Sequence, residues 1–456
     1  MNALWDKLTD RAAGAALLLT AVVASVAFAC MGADRALAAM RGTGPRSALA
    51  VYALFCGLAV VRNSRSGWAA FAARLPAWLF HLGFALVLGG WLYNAVAGTP
   101  DGYLKLHARQ TGAVDDAFEF ALDEFTIDRW ADTETVRQYT SRGRVLPAGG
   151  TERGVRGEPV AISVNHPLVK DGWWVYQSSY QEVENPHTGK PFYFTVLNCV
   201  KDIGLPYVFV GGVLLLLGAF GSAVRFFRVG GLPCEHVSAP DAPRSGFGRV
   251  VRGLYATTFL GIAAMLVHRG LSTGHPPMQN LYEFLMCSAA LLPVLTFVSA
   301  RVDRQDTLRT DAALLVLVMI PVGFAMDGEV RRLMPALQSP FFVPHVGAYV
   351  LGYLLLVRAA FGAGRRLVGV GFFLLTLGLV LGAAWGKVCW GHWWQFDPKE
   401  MWSLATWSVY AAYFHLRPRL SPNAERAFLV AGAVMIVLTL TWINLSRLFT
   451  GMHSYA

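Results

Sequence analysis

The segment from residue 390 to residue 407 holds the densest group of aromatic side chains in this chain. Its sequence, WGHWWQFDPKEMWSLATW, surrounds an Asp-Pro-Lys-Glu core with five tryptophans: Trp390, Trp393, Trp394, Trp402 and Trp407. Tryptophan at this density needs a large flat partner or a bilayer interface, where Trp and Tyr collect at the level of the lipid headgroups. The segment alone is compatible with both interpretations.

Four histidines favour the flat partner, because neutral imidazole is a common axial ligand of haem iron. They are His81, His345, His415 and His453. Each lies in or beside an apolar segment, where an ionisable side chain needs a partner and is a candidate functional group. The alternative for each is a structural histidine that hydrogen-bonds between helices. The pattern indicates haem stacked on the tryptophan-rich segment.

Composition defines the class of protein. Of the 456 residues, 55% are hydrophobic and 15% are charged, and several apolar runs reach the roughly 18 residues that a membrane span needs. This indicates a polytopic membrane protein in contact with lipid and excludes a soluble enzyme. The net charge of +10 does not indicate nucleic acid, because the basic residues lie in short loops, where they set membrane orientation.

About eleven membrane spans are predicted. They lie near residues 12–33, 47–62, 77–97, 204–224, 253–269, 281–300, 312–326, 341–361, 367–386, 403–416 and 427–447. Arginine-rich loops alternate along the chain and face the cytoplasm by the positive-inside rule. We therefore expect the inner (cytoplasmic) membrane, a cytoplasmic N-terminus, and a tryptophan-rich segment and C-terminus that face outside. The first apolar run is long and lacks a small-residue cleavage site, which does not favour a signal peptide.

This topology sorts the four histidines by depth. His81 and His415 lie near the inner side of the membrane, and His345 and His453 lie near the outer side. With a rise of about 1.5 Å per residue across a core roughly 30 Å thick, the two pairs are too far apart to bind one iron. The sequence therefore predicts two separate sites.

Two stretches outside the spans divide the chain. Residues 98–203 must lie outside, and the alternation of Phe118, Phe120 and Leu122 with polar residues indicates β-strands. The Gly- and Pro-rich residues 229–249 indicate a cytoplasmic linker between halves 1–228 and 250–456. The predicted fold is an all-α polytopic membrane protein of about 11 transmembrane helices with a small extracytoplasmic β domain. The second half contains a tryptophan-rich loop at 385–402.

The six cysteines are scattered, and the chain has no C-x-x-C motif; they are Cys30, Cys56, Cys199, Cys234, Cys287 and Cys389. Their spacing does not support a zinc knuckle, a redox pair or covalent haem attachment to this chain itself. We expect all six to be structural.

Asp397 has two possible roles. Asp at the N-cap, Pro at the first helical position and Glu at the third are typical of a helix start, and Pro398 and Glu400 complete that pattern. The alternative is contact with the cofactor, in which Lys399 pairs with a haem propionate.

The second half resembles a known family over residues 253–456. The motifs are WGHWWQFDPKEMWSLATWSVYAAYFHLR, GMHSYA, FVPHVGAYVLGYLLL and GHPPMQNLYEF, and they are similar to the CcsA (ResC) family of cytochrome c biogenesis proteins. The first half resembles the partner subunit CcsB (ResB) through HLGFALVLGG, GYLKL, FALDEFTIDRW and AISVNHPLVKDGWWVYQSSY. The whole chain resembles a compact, fused System II cytochrome c synthase.

The resemblance implies that haem b is joined to the two thiols of a C-x-x-C-H motif in apocytochrome c, with a thiol-reducing system as a further partner. It implies His81 and His415 as transmembrane haem ligands, and His345 and His453 as ligands of an external haem. The external haem would lie over Trp390, Trp393, Trp394, Asp397 and Trp402. Two other functions remain to be distinguished: a haem-delivery scaffold without ligase activity, and an unrelated membrane transporter.

Two features depart from the family pattern. Phe396 stands where the family usually has a second Trp before the Asp, which keeps a stacking face and removes an indole N–H. The external domain is short for the family.

Overall fold

A computed structural model describes residues 11–31, 43–64, 68–131, 133–151, 156–184, 191–229, 246–302, 305–324 and 328–445, with the single residues 35, 39 and 189. Within these ranges the chain forms eleven α-helices and eight β-strands. The helices are α1 (Arg11–Met31), α2 (Thr43–Ser64), α3 (Trp68–Ala97), α4 (Leu205–Val229), α5 (Gly246–Thr273), α6 (Leu281–Val302), α7 (Leu308–Phe324), α8 (Phe342–Ala360), α9 (Val368–Trp390), α10 (Pro398–Leu416) and α11 (Pro422–Leu445). The strands are β1 (Gly102–Leu106), β2 (Thr111–Val114), β3 (Phe118–Arg129), β4 (Val136–Pro147), β5 (Glu158–Ser163), β6 (Leu168–Lys170), β7 (Trp173–Glu184) and β8 (Pro191–Lys201).

The strands between α3 and α4 form two antiparallel sheets, ordered β1-β8-β7-β6 and β2-β3-β4-β5. Phe118, Phe120 and Leu122 are buried between them, together with Val175 and Leu197. Because successive residues of a strand point to opposite faces, the apolar alternation in the sequence predicted this buried face correctly.

Eight of the described helices are long and apolar enough to cross a membrane: α1, α3, α4, α5, α6, α8, α9 and α11. The other three predicted spans are also helical, in α2, α7 and α10. The count of about eleven spans therefore stays a prediction. Helix α5 begins at Gly246, and most of the predicted linker, residues 230–245, lies outside the described part of the chain.

Glycines at intervals of seven bring α3 and α4 into backbone contact. Gly83 and Gly90 lie on α3, and Gly204, Gly211 and Gly218 lie on or directly before α4. Seven residues are about two helical turns, so these glycines share one face of each helix. A Cβ atom at Gly83 would lie 2.3 Å from the backbone nitrogen of Leu215. We call these five residues the glycine seam.

The two halves of the chain share one helical core. Helix α10 packs along α1, and α9 packs against α4. In the second half, the Arg358 Nε donates to Oδ1 of Asp311 at 2.6 Å, and both side chains are fully buried. Two buried charges need further hydrogen bonds, and Arg358 Nη2 also donates to the Ser299 and Thr307 hydroxyls.

The glycine seam predicts that a Gly→Ala substitution lowers stability only where α3 and α4 are in backbone contact. Gly83→Ala forces the α3 and α4 backbones apart, and we expect it to lower stability by about 1–3 kcal/mol. Gly89→Ala on the same helix is the matched control, because a Cβ atom there meets nothing within 4 Å. Thermal unfolding of the detergent-solubilised protein measures both. Equal melting temperatures for the two variants would contradict the seam.

Candidate functional site

His81 on α3 and His415 on α10 face each other, with ring centroids 5.9 Å apart and an interplanar angle of 78°. Each Nδ1 lies at hydrogen-bond distance from the backbone carbonyl four residues earlier, Ala77 at 2.7 Å and Ala411 at 2.8 Å. A carbonyl only accepts, so Nδ1 must carry the proton in both rings. This leaves the Nε2 lone pair of each imidazole for a metal, the arrangement that orients most metal-binding histidines.

Four helices form the wall of the pocket around the two imidazoles. Three belong to the first half of the chain and the fourth, α10, belongs to the second. The lining residues are Gly14, Leu17, Leu18, Tyr52, Phe55, Cys56, Phe80, Phe84, Trp407 and Ala411. A Cβ atom at Gly14 would lie 2.9 Å from the Phe55 ring and 3.1 Å from the His415 ring, so a glycine is needed where α1 passes this site.

Trp407 belongs to this inner pocket and not to the outer tryptophan group in which its sequence position placed it. Its indole stacks on Phe80 at 6.1 Å and on Phe84 at 5.5 Å, and its Nε1 donates to the Thr376 hydroxyl at 3.0 Å. The reason is helical geometry, because nine residues beyond Pro398 amount to about 13 Å along α10. Grouping by sequence proximity did not allow for this distance.

The donors of the inner pocket suit haem iron better than a free metal ion. Among the described residues, no group of three or more His, Cys, Asp or Glu side chains is arranged to hold a metal. A porphyrin supplies four nitrogens itself and leaves two axial positions, and each imidazole binds at about 2 Å. The cavity of this pocket is about 30 Å³, enough for a water molecule and too small for a macrocycle in the arrangement of helices seen here.

The structure places His345 at the start of α8, turned toward α9. Its Nδ1 lies 2.8 Å from the Gly378 carbonyl, and its ring contacts Tyr349 and Trp385 edge-on. A Cβ atom at Gly382 would lie 2.6 Å from the ring. His453, its predicted partner, lies outside the described residues, so the outer pair stays a prediction.

The outer tryptophans do not form one continuous flat surface. Trp390 stacks on Trp385 with centroids 6.3 Å apart, whereas Trp394 and Trp402 pack with Phe396 beside Ala29 of α1. Trp393 points to the β domain, where its Nε1 donates to Asp202. The tryptophan-rich loop is also shorter than the predicted 385–402, because α9 continues to Trp390 and α10 begins at Pro398.

The helix-start interpretation of Asp397 and Glu400 is confirmed. The Asp397 side chain accepts from the Lys399 backbone N–H at 2.9 Å, and Glu400 accepts from the Asp397 N–H at 3.2 Å, which completes a capping box. Phe396, directly before it, has a φ of +58°, uncommon for a non-glycine residue, and its buried ring packs 6.3 Å from Trp91 and 6.4 Å from Phe28. Contact of Asp397 with a cofactor stays a prediction.

Polar residues that the sequence analysis did not single out join the outer segment to the β domain. Lys387 Nζ lies 3.0 Å from the Asp202 carboxylate, and His392 Nε2 lies 3.3 Å from Asp101. Burial lowers the pKa of His392, an effect that the Asp101 carboxylate opposes. Lys387 and Asp202 are distant in sequence, and no local motif marks them as a pair.

Four of the five described cysteines are buried and Cys30 is exposed, so a structural role for all six stays a prediction. Cys30, Cys56, Cys199, Cys287 and Cys389 are all free thiols. Burial raises the pKa of Cys199 in β8 to about 12, so its thiol stays protonated and a poor nucleophile at neutral pH.

These features define a multi-pass membrane protein with a two-histidine pocket at the junction of its halves. Residues 62–192 match the ResB-like family, and residues 362–453 match the Cytochrome C assembly protein family. Over 303 residues the chain is 30% identical to the cytochrome c biogenesis protein CcsA of Synechococcus sp. (strain RCC307), covering 53% of this chain and 95% of the relative. The CcsA of Prochlorococcus marinus (strain MIT 9303) is 31% identical over 268 residues, 45% of this chain and 84% of the relative. The CcsA of Nymphaea alba is 27% identical over 261 residues, 44% of this chain and 83% of the relative.

The chain belongs to the CcsA family of cytochrome c biogenesis proteins and carries a ResB-like half in the same polypeptide, as the sequence predicted. It is a fused System II protein that handles haem in cytochrome c biogenesis, with apocytochrome c as substrate. The unrelated transporter is thereby excluded.

The inner pair gives a direct test of haem ligation. We expect His81→Gly or His415→Gly to lower the haem content of the purified protein by about tenfold or more, because each removes one Nε2 donor. Added imidazole fills the vacated position and restores part of the haem absorption. His166→Gly is the control, since His166 is an exposed histidine of the β domain. Unchanged haem spectra in both single variants would rule out the inner site.

Proposed function

We propose that this chain is a holocytochrome c synthase, a cytochrome c haem lyase. It binds haem b, brings it to the outer face of the membrane and attaches it to apocytochrome c. The observation that carries this proposal is the pair His81 and His415, two imidazoles with fixed tautomers that approach from different halves of the chain. A ligand pair of this kind holds an iron already bound by a macrocycle.

The covalent reaction forms two thioethers. Each cysteine thiol of the C-x-x-C-H motif adds across one haem vinyl group, so that an S–C bond and a C–H bond form while the S–H bond and the vinyl π bond break. The addition is redox-neutral. It requires reduced cysteines, which a thiol-reducing system must supply, because a disulfide has no S–H to add. We assign no acid–base pair to this step, and the contribution of the protein is to position the substrates.

The inner pocket holds haem once its walls separate. The glycine seam joins α3, which carries His81, closely to α4. Helix α2 packs closely against α3, whereas α10 packs along α1. We therefore assign the opening movement to α1 and α10. The Tyr52 hydroxyl of α2 hydrogen-bonds to the Leu17 carbonyl of α1 across this boundary.

The outer site is formed by His345 and His453, next to the segment that carries Trp390, Trp393, Trp394, Asp397 and Trp402. Lys399 pairs with a propionate. When apocytochrome c binds, the histidine of its C-x-x-C-H motif would take the place of His345 or His453, and the site would leave the haem vinyl groups open to the incoming thiols. Placing this site and the β domain outside the inner (cytoplasmic) membrane, with the N-terminus inside, follows from the alternate Arg-rich loops. The packing of Gly391 against the Tyr176 ring supports the two lying on the same side.

Co-production with an apocytochrome c in a host without its own maturation system tests the proposal. We expect a cytochrome whose haem survives denaturation, since a thioether is covalent. A C-x-x-C-H motif with both cysteines replaced by Ser is the matched control and must yield no such product. Haem that is bound to the protein but never becomes covalent would identify a haem-delivery scaffold and contradict the lyase.

The outer pair is expected to matter for chemistry more than for haem capture. His453→Gly and His345→Gly should each reduce covalent cytochrome by about tenfold or more while the inner haem is retained, because His345 is not among the residues that line the inner pocket and His453 is its proposed partner. Cytochrome yield per unit of membrane-inserted protein is the measurement. Normal yields in both variants would show that the outer pair is wrong.

A further inference from the structure

Asp202 lies where β8 ends and α4 begins, and its carboxylate reaches the second half of the chain. Its Oδ2 accepts a hydrogen bond from Trp393 Nε1 at 3.0 Å and lies 3.0 Å from Lys387 Nζ. The side chains of Lys387 and Asp202 are 3% and 6% exposed. A buried ion pair costs much desolvation and is retained only with good geometry and further hydrogen bonds, which this pair has.

Lys387 also fixes the start of the tryptophan-rich loop. Its Nζ donates to the carbonyl of Gly391 at 3.0 Å, and Gly391 ends α9 with a φ of +94°. A Cβ atom at Gly391 would lie 3.1 Å from the Tyr176 ring and 3.2 Å from Val200. The loop therefore begins in direct contact with the β domain, beside Asp202.

Asp202 itself is held by the first half. Its Oδ1 accepts from the Gly204 N–H at 3.0 Å, and the Asn94 side chain of α3 accepts from the neighbouring Ile203 N–H at 3.1 Å. Gly204 is part of the glycine seam, where a Cβ atom would lie 2.1 Å from the Gly90 carbonyl oxygen. The carboxylate is thus fixed to the α3–α4 pair.

We propose that Asp202 is a positioning residue for the outer site. Through Lys387 and Trp393 it sets the orientation of residues 391–397, so the outer site, like the inner pocket, is complete only when both halves are present. The part of this inference that concerns cytochrome formation rests on the proposed function. The part that concerns the orientation of the loop rests on the contacts of Asp202 alone.

The contact of Asp202 with the Gly204 N–H is a local turn directly before α4, and it must be separated from this positioning role. Asn and Ser form the same kind of turn. Asp202→Asn therefore keeps the turn and removes the charge opposite Lys387, and Asp202→Ser keeps the turn and removes the reach to Trp393. An effect common to both variants but absent from a control belongs to the contact with the second half.

Hydrogen–deuterium exchange of the purified full-length protein reads the loop directly. We expect exchange in residues 391–397 to be about tenfold faster in Asp202→Ser, and faster to a lesser degree in Asp202→Asn, with β3 and β4 unchanged. Asp123→Asn is the matched control, since it breaks a half-exposed pair with Arg144 in the same domain and should leave the loop unchanged. If residues 391–397 exchange at the wild-type rate in both Asp202 variants, the inference is overturned.

Two further measurements complete the test. If Lys387 acts through Asp202, Asp202→Asn combined with Lys387→Met should accelerate loop exchange no more than the stronger single variant does. Additive effects would overturn the coupling.

In co-production with apocytochrome c, Asp202→Ser should lower the yield of covalent cytochrome by about tenfold with unchanged inner haem. Wild-type protein that makes no cytochrome would contradict the proposed function alone, because the exchange result is read independently. Normal cytochrome yield in a variant whose loop exchanges faster would overturn the positioning role.

Discussion

An imidazole ring among apolar helices needs a hydrogen-bond or metal partner for each of its two nitrogens. The rest of this structure depends on the partners of His81 and His415. In each ring, Nδ1 is bound to the carbonyl one turn earlier, and both rings line the same small pocket. Since the two rings come from α3 and α10, the pocket exists only when the ResB-like and CcsA-like halves pack together. Fusion of the two halves in one chain keeps these ligands at a fixed stoichiometry.

The first half behaves as a rigid support for both functional regions. Backbone contact along the glycine seam joins α3 and α4 over several turns. His81 lies on this pair beside the inner pocket, and Asp202 lies at its other end beside the outer loop. Close packing of this kind transmits position over distance because protein interiors are nearly incompressible. The α3–α4 pair therefore fixes the positions of both the inner pocket and the outer loop.

The sequence predicts those parts of the arrangement that follow from a local pattern with a fixed spacing. Alternating apolar residues predicted the buried face of β3, and the Asp-Pro-Lys-Glu spacing predicted the start of α10. Depth estimates from arginine-rich loops placed His81 beside His415. Three features were not predictable, because each depends on tertiary packing. Trp407 turns into the inner pocket, Phe396 packs among α1 and α3, and Asp202 pairs with Lys387 across the two halves.

The central claim is that one haem is bound between the imidazoles of His81 and His415. Electron paramagnetic resonance of the purified, oxidised wild-type protein tests it most directly, because two axial imidazoles make ferric haem low-spin and six-coordinate. We expect a low-spin signal typical of two imidazole ligands, still present in a variant that lacks both His345 and His453. A high-spin, five-coordinate signal in that double variant would contradict the account.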